Sequence, residues 1–103
     1  MNAGTIIRKL RKQAGISQGD LAKACKLSQA YLSLVESNKR EMHMSSLKRI
    51  CEELEIPVPI LLFLAMEESD VPEGKRDAYN TLFPAIKAML VELFPKTKTD
   101  RKS

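Results

Sequence analysis

Ser17-Gln18-Gly19-Asp20-Leu21-Ala22-Lys23-Ala24-Cys25-Lys26-Leu27-Ser28-Gln29-Ala30-Tyr31-Leu32-Ser33-Leu34-Val35 is the stretch that decides the fold. It reads as two short helices around a tight turn. Ser17 opens the first helix as an N-cap, and Asp20 at its third position gives the shape of a capping box. Leu21, Ala22 and Cys25 form the buried stripe of that helix. Ser28 caps the second, in which Tyr31, Leu32 and Val35 recur at helical spacing before Ser37-Asn38 ends it. Only Lys26, Leu27 and Ser28 separate the two. Ala22 is the small residue that a close crossing needs, and Leu21, Leu27, Leu32 and Val35 lock the pair together. The second helix is left free to present its N-terminal residues outwards.

Working outward, Ile6, Ile7 and Leu10 predict a preceding helix over 5–14 with Thr5 as N-cap and Gly15 as its left-handed stop. A connection over 39–44 leads to a fourth helix opened by Ser45 or Ser46, with Leu47, Ile50, Cys51 and Leu54 on one face. Glu55-Ile56-Pro57 stops it. Pro59 suits the first turn of a fifth helix running to about Glu68. Residues 69–74 read as a Pro/Gly linker. Beyond them, Tyr79, Leu82, Phe83, Ile86, Met89, Leu90 and Leu93 form one stripe over 75–94, which Pro84 is expected to kink or split. Residues 95–103 read as a disordered basic tail. No segment alternates with period two, so the class is all-α.

Of the 103 residues, 44% are hydrophobic and 29% charged, which suits about one soluble domain. Two cysteines make no secreted disulfide scaffold, and both lie on apolar stripes, as buried inert thiols do. One histidine, His43, and no CxxC pair argue against a structural zinc site. The longest apolar run, 60–66, is too short to span a membrane. These features point to the reducing cytoplasm. Seventeen basic against thirteen acidic residues give a net charge of +4. The first quarter carries Arg8, Lys9, Arg11, Lys12, Lys23 and Lys26 against Asp20 alone, a surface suited to a polyanion. No acid pair, nucleophile–base set or Gly-rich phosphate loop stands out, so no enzyme and no cofactor are expected.

Two short helices about such a turn have the geometry of a helix-turn-helix. The segments 17–22, 28–33 and 35–40 resemble the Cro/repressor helix-turn-helix family, also called lambda-repressor-like or XRE. The resemblance extends from about Ile6 to Leu62 and includes Leu47-Lys48-Arg49-Ile50-Cys51 and Leu54-Glu55-Ile56-Pro57. It implies a five-helix bundle over 1–68 that binds duplex DNA as a dimer, its third helix in the major groove. To this the sequence adds the C-terminal amphipathic helix.

Residue by residue, the resemblance implies base contacts from Gln29, Ala30 and Ser33. A glutamine can pair with adenine N6 and N7, an alanine can touch a thymine methyl, and a serine offers a short hydroxyl. It implies phosphate contacts from Ser28, Lys39 and Arg40, with Gln18 touching phosphate and bracing Gln29. Arg11 and Glu36 match an ion pair joining the first helix to the end of the third. Four positions depart from the family pattern. Lys26, Asn38 and Glu55 stand where glycine is common, and Leu34 replaces a polar side chain that often contacts bases.

The C-terminal stripe must bury its apolar face. Tyr79, Leu82, Phe83, Ile86, Leu90 and Leu93 are the expected dimerisation or packing residues: the helix can pair with its copy, pack on the bundle or take a partner protein. The leading expectation is a homodimeric repressor on a palindromic operator, associated with the nucleoid through its DNA. The alternatives are an antitoxin or restriction–modification controller whose last helix covers a partner, and an interaction module that no longer reads DNA.

Overall fold

The computed structural model describes residues 1–93, and the tail expected over 95–103 lies outside the described residues. Within them the fold is all-α. Helices α1 (Ala3–Gln13), α2 (Gln18–Ala24), α3 (Gln29–Glu36), α4 (Met44–Leu54) and α5 (Val58–Leu64) form the bundle, and α6 (Arg76–Leu93) follows two short 3-10 turns at Glu68–Asp70 and Glu73–Lys75. Ile7, Leu21, Leu32, Ile50 and Leu61 are wholly buried and draw all five bundle helices onto one core. Cys25 and Cys51 sit in that core. Burial pushes the Cys51 thiol up to about 11, with Cys25 adding to the shift.

Four helix ends share one device. One or two residues past the helix the chain takes a left-handed conformation, at Gly15 (φ 72°), Lys26 (57°), Asn38 (60°) and Glu55 (57°). In each case that residue's N–H and the next one turn back onto the last helical turn. After α2, Lys26 N donates to Lys23 O (3.1 Å) and Leu27 N to Ala22 O (2.8 Å). After α3, Asn38 N donates to Val35 O (3.0 Å) and Lys39 N to Leu34 O (2.9 Å). Ile16, Leu27 and Ile56 follow three of these turns and pack on the core, which fastens each chain reversal. The three positions where the family pattern has glycine are therefore left-handed here, and Lys26 and Glu55 carry steric strain that glycine would avoid.

Several boundaries differ from expectation. Thr5 does not cap α1. The helix starts at Ala3, with Asn2 at the N-cap, and the Thr5 hydroxyl accepts a hydrogen bond from Asn38 Nδ2 at 2.7 Å. Helix α4 opens at His43 rather than at a serine, because Ser46 is buried and faces the core. Helix α5 ends at Leu64, short of Glu68, since Ala65 O is taken by Asn2 N at 2.9 Å. Pro84 does not split α6, which runs through it unbroken. The segment expected as a linker is ordered: Glu67 and Asp70 form a capping box, and the amino group of Met1 lies 2.8 Å from Glu67 Oε1 and 2.9 Å from Asp70 Oδ2.

Gly4 sets how close α1 comes to α3. A Cβ there would collide with the backbone carbonyl of Val35 and stand 2.7 Å from Asn38 Oδ1. Local pattern gives no sign of this contact, because it depends on the crossing of two helices distant in sequence.

Candidate nucleic-acid interface

Helix α3 buries Leu32, Val35 and Glu36 and exposes Gln29, Ala30 and Ser33. Its N-terminus is fixed by Ser28, whose Oγ accepts from Tyr31 N at 3.0 Å. Ser17 does the same for α2 through Asp20 N, also at 3.0 Å. An accepting hydroxyl keeps its own proton, so the exposed Ser28 can still donate to an anion.

A chain of polar contacts runs from the core to this outer face. Arg11 and Glu36 form a two-pronged ion pair, Nε to Oε2 at 2.7 Å and Nη2 to Oε1 at 3.0 Å. Both residues are buried, and Arg11 Nη1 also donates to Ile16 O at 2.9 Å. Glu36 Oε1 accepts in addition from Gln18 Nε2 at 3.1 Å. A carboxylate only accepts, so this contact fixes which end of the Gln18 amide is which, leaving Oε1 outward. That oxygen receives Gln29 Nε2 at 3.4 Å. The Gln29 amide is thereby oriented at the surface, with one N–H and the carbonyl oxygen available outward. Gly19 leaves room for it, since a Cβ there would stand 3.2 Å from Gln29 Oε1.

The α3–α4 connection carries the exposed cations Lys39 and Arg40. The turn at Asn38 sets the path of Lys39, through its N–H on Leu34 O. Tyr31 holds the rest. Its half-buried ring lies 6.0 Å below the Arg40 guanidinium carbon, and its hydroxyl accepts from His43 N at 3.4 Å. In the sequence Tyr31 is legible only as one member of the helical stripe with Leu32 and Val35. The i to i+9 spacing from Tyr31 to Arg40 is no recognised signal, and only the fold brings them together. Leu34, on the same helix, is 37% exposed and apolar.

The residues singled out for the C-terminal helix divide. Tyr79 and Phe83 meet the bundle, with Tyr79 Oη donating to Met66 O at 2.9 Å and Phe83 stacked on Phe63 at 5.0 Å between centroids. Leu90 is half-buried, whereas Leu82, Ile86 and Leu93 stand exposed. No helix among the described residues is long and apolar enough to cross a membrane.

Comparison with known proteins bears on this geometry. A helix-turn-helix family model matches residues 7–61. No curated protein matches the chain. Among solved structures, one of the clp gene regulator ClgR from Corynebacterium glutamicum is 30% identical, with a TM-score of 0.59 over 62% of this chain and 83% of that one. A second ClgR structure is 24% identical and superposes with a TM-score of 0.61 over 89% of this chain and 88% of the other, a likeness of fold that includes the C-terminal region.

Proposed function

The chain belongs to the helix-turn-helix family, of the Cro/repressor type, and on that premise we propose that it is a sequence-specific, duplex-DNA-binding transcription regulator. Helix α3 enters the major groove and the chain acts as a dimer on a palindromic site, most simply as a repressor that occupies its operator. The observation that carries this reading is the Gln29 amide, exposed and oriented by Gln18, Glu36 and Arg11.

An oriented amide loses less freedom on binding than one that rotates. With Nε2 partly committed to Gln18, its second N–H donates to adenine N7 while Oε1 accepts from N6. Ala30 meets a thymine methyl, and Ser33 adds a hydroxyl. Ser28, Lys39, Arg40 and Gln18 hold the phosphates and fix the register without reading sequence. The regulator role of the ClgR neighbour supports control of transcription. Residues 1–68 are the DNA-binding unit in this reading and α6 serves assembly.

Selection from a randomised duplex library tests it. Recovery of a palindrome with half-sites about one helical turn (~34 Å) apart is the expected result. Enrichment of no sequence, with salt-sensitive bulk binding only, overturns sequence-specific recognition.

A further inference from the structure

The connection from α3 to α4 returns twice to a single side chain of α3. Arg40 places its guanidinium carbon 6.0 Å from the centroid of the Tyr31 ring, and three residues on, His43 N donates to the Tyr31 hydroxyl at 3.4 Å. The ring is half-buried, with one part packed on the core and another under an exposed cation. The backbone of Tyr31 is held as well, because its N–H is the one that Ser28 Oγ accepts at 3.0 Å. One residue thus joins two of the proposed phosphate contacts, Ser28 through its main chain and Arg40 through its ring.

We infer that Tyr31 is a positioning residue for phosphate binding: its ring presets Arg40 for the DNA backbone and couples that contact to the reading helix. Attraction to the face of a ring draws on the charge of a guanidinium, so the N–H donors in its plane stay available to a phosphate. An arginine held in this way loses less side-chain freedom on binding than one that rotates. Because Tyr31 is rooted in α3, a phosphate gripped by Arg40 is tied to the helix that carries Gln29, Ala30 and Ser33. At 6.0 Å the attraction is near the end of its range, so its effect is modest. The inference deepens the DNA-binding reading and rests on it, since Arg40 must meet a phosphate.

Two substitutions at position 31 separate positioning from packing. Phenylalanine keeps the ring and loses the bond to His43 N, whereas leucine fills the half-buried space and loses both. The affinity of the full chain for an unrelated duplex is the readout, because phosphate contacts carry no sequence. Arg40→Ala is measured in the wild-type, Tyr31→Phe and Tyr31→Leu backgrounds. It is expected to cost about two- to fivefold more with the tyrosine than with Tyr31→Leu, the scale of an exposed cation–π contact. Tyr31→Phe is expected to keep that whole difference, and the difference is expected to shrink as salt is raised. Each comparison is made within one background, so a change of stability common to both members cancels.

A measurement on the wild type alone gives a second check. NMR relaxation of Arg40 Nε in the free chain is expected to show restricted motion. A freely rotating side chain overturns the inference. So do equal costs of Arg40→Ala in the tyrosine and leucine backgrounds, or a difference that Tyr31→Phe abolishes; either result, with Arg40→Ala still weakening binding, removes this inference alone. No effect of Arg40→Ala on any duplex removes the phosphate contact from the functional reading, and the inference with it. Full coupling in a chain that selects no sequence supports the inference and overturns sequence-specific recognition.

Discussion

Helices α3 and α6 are both amphipathic, and both turn one face to solvent, but the two exposed faces differ in kind. That of α3 is polar and its key side chain is braced: Gln29 is tied through Gln18 and Glu36 to Arg11 in the core. That of α6 is apolar, and the backbone beneath it is held while its outer side chains are left open. A polar group aimed at a base edge gains from being fixed in advance, because hydrogen bonds are directional. An apolar face gains little from directional bracing and needs only a matching surface. On the proposed reading, α3 suits a partner of defined donors and acceptors, whereas the exposed face of α6 is apolar.

The sharpest way to break this contrast is to remove the brace. Glu36→Ala leaves the buried Arg11 guanidinium without its carboxylate and is expected to destabilise the fold by about 3–5 kcal/mol, read by urea unfolding. An apolar pair, Arg11→Met with Glu36→Leu, is expected to regain much of that stability and yet bind DNA less selectively, since Gln18 loses its anchor. Full selectivity in the double variant would show the brace to be irrelevant. Gly4→Ala is expected to cost about 1–3 kcal/mol by overpacking, because its Cβ would meet the Val35 carbonyl, with any shift of α3 read as altered DNA affinity.

Smaller effects sharpen the comparison. Lys39→Ala should weaken binding to all sequences alike and reduce the salt slope by about one; a loss confined to the operator would move Lys39 among the base readers. Smallest is Lys26→Gly, which relieves a left-handed lysine and should stabilise the bundle by about 0.5–1 kcal/mol after the flexibility of glycine is counted. An unchanged unfolding midpoint would mean that the turn carries no such strain.

Much of the bundle was legible in the sequence, because its determinants are local. Ser17 and Ser28 cap the helices they precede, and the stripes of Leu21, Leu32 and Ile50 identify the buried faces. The left-handed turns at Lys26 and Glu55 were legible only through family resemblance, since neither residue type favours that conformation by itself. Thr5 and Ser46 look like caps but are drawn to other contacts by tertiary packing. The approach of Gly4 to Val35 and the stacking of Arg40 on Tyr31 join residues far apart or at no helical spacing, where pattern carries no information. For α6 the stripe was plain, yet which of its residues meet the bundle depends on the direction in which the ordered turns at 68–75 launch it.

The account stands most directly on Gln29. With a selected operator in hand, the affinity of Gln29→Ala should be measured on that duplex and on an unrelated one at the same salt concentration. A loss of about 1–3 kcal/mol on the operator, with little change on the unrelated duplex, is the predicted result. Equal losses on both, or none on either, would contradict the claim that α3 reads DNA through an amide oriented from the core.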